Sequence, residues 1–354
     1  MFRRGSTDGR AAFWALAAVA LGLFAWAAGF ALDDANRRAD GGSDSAERPA
    51  DRAPRVGVLI EGAIYDQGWD SEAYAALQAL ERHYGADVAF VEFHNAATPE
   101  KIASALERFI AEGRTLLIGH GAVFGPVIEA TAPHHPDVQF VSINGPAAEA
   151  NVVSVHFSGR TMGILAGAAA ALMSRTGIVG IVSAYPDLPE VDGFRAGARY
   201  ARPETVVLAR SVGSWGDRPA GRAAAEALIR QGADVLFPAG DGFSIDVIDV
   251  ARRHGRYAVG FIIDQSFIAR NAVITSVTQD VRRLYTEIFL RARDGTLDAL
   301  RGQVLDVKNG YERLSGFGPM VPKPVAEAVE RLYEALRTGK LTEADLDAGG
   351  RRAS

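Results

Sequence analysis

The chain has 354 residues, 48% of them hydrophobic and 23% charged, and a formal net charge of −5 at pH 7. This is an ordinary globular composition with enough apolar residues for two cores, so we expect two domains. The chain contains no cysteine, which excludes disulfides, thiolate catalysis, thiolate metal sites and lipid attachment through an N-terminal cysteine. Because no basic tract is present, nucleic acid is not an expected partner.

The first predicted element is an apolar helix near the N-terminus. Residues 11–32 carry no charged side chain, follow three arginines and precede two aspartates. At about 1.5 Å per residue, such a helix crosses a hydrocarbon core of about 30 Å. The flanking charges favour an N-terminus inside the cell and a body outside it. We therefore predict an uncleaved signal anchor in the cell membrane, with cleavage after Ala31 as the alternative.

The segment after this helix is predicted to be a disordered tether. Residues 33–54 contain no aliphatic side chain larger than alanine and are rich in Asp, Arg, Gly and Pro. Such a segment cannot bury enough apolar surface to offset the entropy lost on ordering. We expect the folded body to cover 55–340 and a tail to cover 341–354.

The body alternates apolar runs with amphipathic stretches, in two successive sets. Continuous β-branched runs bounded by helices are typical of parallel strands covered on both faces. Predicted strands lie at 56–60, 88–93, 115–120, 138–143, 151–157, 177–184, 205–211, 234–240 and 257–263. Predicted helices lie at 71–84, 99–112, 163–173, 191–200, 218–231 and 243–253.

This pattern predicts the α/β class, with two doubly wound parallel-sheet lobes joined by a hinge and separated by a cleft. The first lobe is expected at about 55–157 with a return segment after 278, and the second at about 177–277. Ligands of such sheets bind outside the carboxyl ends of the strands, so polar and aromatic residues after each strand are the candidate site. These candidates are Asp66, Trp69, Asn95, His120, Phe124, Trp215, Asp241 and Asp264. Aromatic rings beside carboxylates and amides suit a flat, hydroxylated ligand such as a nucleoside or a sugar.

Each main candidate also has a structural interpretation. Asp66 and Trp69 could form a turn and fill the edge of a lobe, and Asp241 could cap the helix that follows it. His120 could be a core histidine bonded to the backbone. Asp264 could serve the hinge or a helix cap instead of a ligand.

Four motifs carry a resemblance to a known family. They are the loop Asp66-Gln67-Gly68-Trp69, the segment 212–242, the segment 260–265 and the pair Thr275-Ser276. From about residue 55 to about residue 340 the chain resembles the basic membrane protein family of type I periplasmic-binding proteins. That family includes purine nucleoside receptor lipoproteins and Med-type proteins of Gram-positive bacteria.

The resemblance implies a solute-binding protein that delivers its ligand to an ABC permease and uses no cofactor. It gives Trp215 the role of a second stacking aromatic and Asp66 that of a polar ligand contact. Two positions depart from the family pattern. Ile262 stands where a hydroxyl-binding carboxylate is usual, and Gln279 stands where a lysine is common. Losing a charged hydrogen-bonding group costs on the order of 1 to 3 kcal/mol of binding, so both departures favour the Med-type branch.

No set of residues for catalysis or metal binding assembles from the sequence. The chain contains no GxSxG, GxxxxGK[ST] or HExxH motif, and its seven histidines have no metal-ligand spacing. We therefore expect a monomeric binding protein and no enzyme. Two functions stay open: a membrane-anchored solute-binding protein of an ABC importer, with Gln279 among its ligand contacts, or a Med-type sensor without a transport role.

Overall fold

The computed structural model describes residues 53–352, with side chains through residue 347. The predicted transmembrane helix at 11–32 lies outside the described residues, and so does the predicted tether up to residue 52. Within 53–352, none of the helices is both long enough and apolar enough to cross a membrane.

The first lobe is built on a six-stranded sheet in which every strand pair is parallel. Its strand order is β11-β5-β4-β3-β1-β2. The strands are β1 Val56–Ile60, β2 Val88–Glu92, β3 Leu116–His120, β4 Gln139–Ile143, β5 Val152–Phe157 and β11 Gln303–Leu305. Its helices are α1 Trp69–Tyr84, α2 Pro99–Ala111, α3 Gly125–Thr131 and α8 Val281–Arg293.

The second lobe repeats this plan with one antiparallel edge strand. Its strand order is β12-β10-β9-β8-β6-β7, and β12 is antiparallel to β10. The strands are β6 Ile178–Ser183, β7 Val206–Ser211, β8 Val235–Ala239, β9 Tyr257–Ile262, β10 Val273–Gln279 and β12 Glu312–Leu314. The helices are α4 Arg160–Met173, α5 Pro189–Ala201, α6 Arg218–Arg230, α7 Ser244–Arg253, α9 Lys323–Arg337 and α10 Glu343–Arg352.

The local sequence explains where several helices begin. The side chains of Thr98, Asp217 and Asp280 each accept a hydrogen bond from a backbone N–H in the first turn of α2, α6 and α8. These residues satisfy N–H groups that have no partner inside the helix. Helix α1 ends at Gly85, whose φ of +63° is easily adopted only without a Cβ.

The two α/β lobes with parallel sheets confirm the predicted fold class for the described residues. The return of the chain after 278 is more complex than expected. It adds α8 and β11 to the first lobe, and it then adds β12, paired with β10, to the second lobe. The segment that we set aside as a tail, 341–354, contains all of helix α10.

Three segments cross between the lobes: 157–160, 279–281 and 305–312. The buried side chain of Glu312, in the third crossing, contacts both of the others. Its Oε1 accepts hydrogen bonds from the backbone N–H of Gly159 at 2.7 Å and from Nε2 of Gln279 at 3.5 Å, and its Oε2 contacts Oγ1 of Thr161. The carboxyl group of Glu312 therefore links all three crossing segments of the hinge.

Candidate ligand-binding cleft

A cleft lies between the lobes, at the carboxyl ends of the strands, and consists of two chambers. The large chamber has a volume of about 580 Å³ and the small one about 170 Å³. Both receive residues from both lobes. The large chamber is lined by Glu61, Trp69, Gly121, Ala122, Val123, Asn144, His156, Phe157, Ser158, Tyr185, Leu188, Pro189, Glu190, Trp215, Asp241, Phe261, Ile262 and Gln279.

Four residues line both chambers, and we call them the junction residues: Glu61, Trp69, Trp215 and Asp241. The first lobe supplies Glu61, after β1, and Trp69, the first residue of α1. The second lobe supplies Trp215, between β7 and α6, and Asp241, after β8. Each lobe therefore contributes one carboxylate and one indole to the same place.

The loop after β1 is organised by Asp66, which lines the small chamber. Its Oδ1 accepts hydrogen bonds from the N–H groups of Gly68 at 2.9 Å and Ser71 at 3.0 Å, and its Oδ2 accepts one from Asp70 at 3.0 Å. The carboxylate thus binds free N–H groups at the start of α1. Asp66 faces the cleft and also holds the loop in shape.

Trp69 is packed against a buried histidine. Its ring stacks on that of His120, with centroids 4.0 Å apart and 15° between the planes, and Phe157 meets it edge-on. Nε2 of His120 lies 3.1 Å from the backbone carbonyl oxygen of Trp69; since this oxygen can only accept, Nε2 carries the proton and donates a hydrogen bond to it. Burial lowers the pKa of His120 to about 3, which keeps the ring neutral. His120 lies behind Trp69 and is absent from the residues that line either chamber.

The other predicted site residues divide into two groups. Asn95 lines the small chamber and Gln279 lines the large one. Phe124 is fully buried in the first lobe against Phe93, and Asp264 is exposed and accepts a hydrogen bond from the N–H of Ser266 at 3.0 Å. The structure does not bring Phe124 or Asp264 to the chamber walls.

Sequence reasoning missed three acidic residues of the cleft: Glu61, Asp70 and Glu190. Glu61 and Asp70 fall between the predicted strand at 56–60 and the predicted helix at 71–84, and nothing in the sequence separates a cleft carboxylate there from a surface one. Glu190 lies in the first turn of α5, near the hinge, where no strand-end signal points to it. Oδ1 of Asp70 and Oε2 of Glu190 are buried and have no hydrogen-bond partner within the described residues.

Burial raises the pKa of each of the five acidic residues that line the cleft. The pKa of Asp70 rises to about 8 and that of Glu190 to about 7, and those of Glu61 and Asp66 also increase. Burial raises the pKa of Asp241 well above its usual value, and the neighbouring carboxylates raise it further. Ionising these carboxyl groups in the ligand-free cleft is therefore costly, and positive charge placed beside them would favour their ionised form.

Ile262 has a backbone conformation that is unfavourable for its side chain. Its φ is +67°, in the left-handed region that β-branched residues seldom adopt. Such strain is frequent where a ligand is held. The side chain is buried and lines the large chamber. Ile262, which departs from the family pattern, therefore lies in the wall of the large chamber.

Two α/β lobes with parallel sheets around an inter-lobe cleft define a periplasmic-binding-protein-like fold, that of solute-binding proteins. The chain belongs to the family described as ABC transporter substrate-binding protein PnrA-like (Bmp), whose family model matches residues 53–335. This confirms the family resemblance inferred from the motifs.

Three relatives illustrate the range of this family. The chain is 35% identical over 288 residues to the transcriptional activator protein Med of Bacillus subtilis, covering 81% of this chain and 90% of that protein. It is 27% identical to a purine-binding protein of Brucella abortus, covering 82% and 83%. The crystal structure of a transcriptional activator of the comK gene from Bacillus halodurans superposes with a TM-score of 0.73 at 31% identity, covering 82% and 99%.

Proposed function

We propose that this chain is a membrane-anchored, extracytoplasmic solute-binding protein that holds a small polar, ring-bearing ligand between its lobes and delivers it to an ABC permease. The observation that carries the proposal is the large chamber. Its volume of about 580 Å³ lies within the range of ligand pockets, about 300 to 1,000 Å³. Both lobes line it, so a bound ligand would hold them together.

The lining suits a nucleoside-like ring. Trp69 and Trp215 come from opposite lobes, and Tyr185 meets Trp215 edge-on with ring centroids 5.6 Å apart. Stacking on such rings contributes about 0.5 to 1.5 kcal/mol beyond the burial of area. Asp66, Asn95, Asp241 and Gln279 supply polar groups around the rings. The purine-binding relative from Brucella abortus supports this ligand class.

Calorimetric titration of the full-length chain, purified with detergent, tests the proposal. The ligands are adenosine, guanosine, adenine, ribose and glucose, and we expect saturable binding of at least one ring-bearing member. Trp215→Ala should weaken that binding about tenfold. Tyr200→Ala, an exposed aromatic on α5, is the matched control and should leave binding unchanged. Absence of binding by all five ligands would contradict the proposal.

A Med-type sensor without a transport role is the second candidate function. The relatives from Bacillus subtilis and Bacillus halodurans, both described as transcriptional activators, favour it. A deletion strain separates the two functions. Reduced uptake of the bound ligand supports the importer, whereas normal uptake with altered transcription supports the sensor.

A further inference from the structure

We propose that the junction residues bind a cationic centre, so that the preferred ligand is an amine-bearing ring rather than a neutral nucleoside. This inference rests on the proposed solute-binding function and names the ligand class of the same cleft.

The first observation is the pairing of acids with indoles at the junction. Glu61 and Trp69 come from one lobe, and Asp241 and Trp215 come from the other. Within residues 53–347, the carboxylates of Glu61 and Asp241 accept no hydrogen bond from a side chain or from the backbone. Indole faces attract cations through the ring quadrupole, and a desolvated cation gains most from this contact. Two carboxyl groups without hydrogen-bond donors beside two indoles therefore form a site for a cation, whose charge would favour the ionised form of both acids.

The second observation is independent of the junction. Glu190 lines the large chamber and is 9% exposed, and Asp70 lines the small chamber and is 4% exposed. Oε2 of Glu190 and Oδ1 of Asp70 have no partner within the described residues. Burial raises the pKa of both carboxyl groups, because ionising either of them without a partner is costly, and a positive charge beside them would favour their ionised form. A ligand that brings donors and positive charge would satisfy both oxygens.

The basic side chains of the lining do not cancel this charge. Arg218 lines the small chamber, but its Nε donates to Oδ2 of Asp246 at 2.6 Å. His156 lines the large chamber, and burial lowers its pKa, which favours the neutral ring. Gln279, also in the wall, is neutral. The acids facing the two chambers are Glu61, Asp66, Asp70, Glu190 and Asp241.

The large chamber also has apolar lining residues that would take the ring of the ligand. Phe157, Leu188, Phe261 and Ile262 line it. Because Ile262 offers no hydrogen-bonding group, this wall gives no partner to the hydroxyl groups of a ribose. An aromatic amine fits this lining, because its ring would lie against the apolar residues and its ammonium group would lie beside the junction residues.

Matched probes that differ only in charge test the inference. Tyramine, tyrosol and 4-hydroxyphenylacetate share one ring and carry an ammonium, a neutral and an anionic group; tryptamine and tryptophol form a second matched pair. By calorimetry on the full-length chain at pH 7.5, each amine should bind at least tenfold more tightly than its neutral partner, and the anion should bind most weakly. Glu61→Gln and Asp241→Asn should each reduce the preference for the amine about tenfold. Glu81→Gln, an equal charge change at an exposed site on α1, should not.

The outcomes separate this inference from the proposed function. Equal binding of amine and neutral partner, or no binding by either amine, overturns the inference. If adenosine or guanosine binds in the same experiments, the solute-binding function still stands. Thermal unfolding of each variant shows that it folds, and an unchanged preference in two folded variants also overturns the inference.

Discussion

The side-chain amide of Gln265 donates a hydrogen bond to the backbone carbonyl of Gln67 at 3.2 Å, which joins the second lobe to the first across the cleft. Gln265 is fully buried, and its Nε2 also donates to Oγ of Ser244 at 2.8 Å. Its Oε1 accepts from the N–H of Phe261 at 3.0 Å. Every hydrogen-bonding atom of this amide therefore has a partner when the lobes are in contact.

Gln265→Glu should open the lobes and weaken ligand binding. A carboxylate keeps the shape of the amide but has no donor, so it would face the Gln67 carbonyl without a bond. Leaving buried groups unpaired costs about 1 to 3 kcal/mol, and we expect ligand affinity to fall about tenfold. Calorimetry measures the affinity, and small-angle X-ray scattering should show a larger radius of gyration without ligand.

The control for this variant is Gln303→Glu. Gln303 is exposed, and its Nε2 donates a hydrogen bond to the Ala299 carbonyl at 2.7 Å within one lobe. It should leave both measurements unchanged. If Gln265→Glu behaves like the control, the amide does not stabilise lobe contact.

The carboxyl group of Glu312 should make the stability of the fold depend on pH. Burial raises its pKa to about 8, from an ordinary value near 4.5 in the unfolded chain. The folded state therefore holds the proton more tightly, and the stabilising effect is complete below about pH 4.5. It is lost as pH rises through 8. Glu190, with a pKa of about 7, contributes with the same sign.

Denaturant unfolding from pH 5 to pH 9 measures this effect. The free energy of unfolding should decrease with rising pH in the unaltered protein. Glu312→Gln keeps a neutral side chain at the hinge, so its free energy of unfolding should depend less on pH. The variant should exceed the unaltered protein in free energy of unfolding by the largest amount at pH 9. Parallel curves for the two proteins would show that Glu312 does not titrate in this range.

The alternating pattern of the body was sufficient to predict both lobes, because β-branched runs and capped amphipathic helices depend mostly on local sequence. The return of the chain through β11 and β12 was not predictable in this way. Each of these strands has three residues, and each is defined by its pairing with a distant strand. Their partners lie in different lobes, which no local pattern reveals.

The candidate site was predictable only where strand ends point to it. Trp215 and Asp241 follow strands of the second sheet, and both line the chambers. His120 is the last residue of β3 and Phe124 follows that strand, but His120 packs behind Trp69 and Phe124 packs in the lobe core. Side-chain direction after a strand end depends on tertiary packing, so sequence alone could not distinguish these pairs.

His120 should stay neutral throughout the physiological pH range. Because burial lowers its pKa to about 3, its ring should not titrate above about pH 4. The Cε1–H signal in two-dimensional NMR of the full-length chain, assigned by its absence in His120→Gln, measures this directly. A change in chemical shift with a midpoint between pH 5 and pH 8 would show that the ring exchanges protons beside Trp69.

The contact between α4 and α5 should not tolerate a single added methyl group at Gly197. A Cβ at this position would overlap the backbone carbonyl of Ile164, and Gly193 has the same relationship to Arg160. Since the obstruction is backbone rather than a movable side chain, the helices would have to separate, at a cost of about 1 to 3 kcal/mol.

The control is Gly316→Ala, which has no atom within 4 Å of the added Cβ. We expect Gly197→Ala to lower the midpoint of thermal unfolding by several degrees and Gly316→Ala to leave it within a degree of the unaltered protein. Equal midpoints for the two variants would mean that the helices can move apart at little cost, and the glycine contact would then not fix α5 and its Glu190 at the cleft.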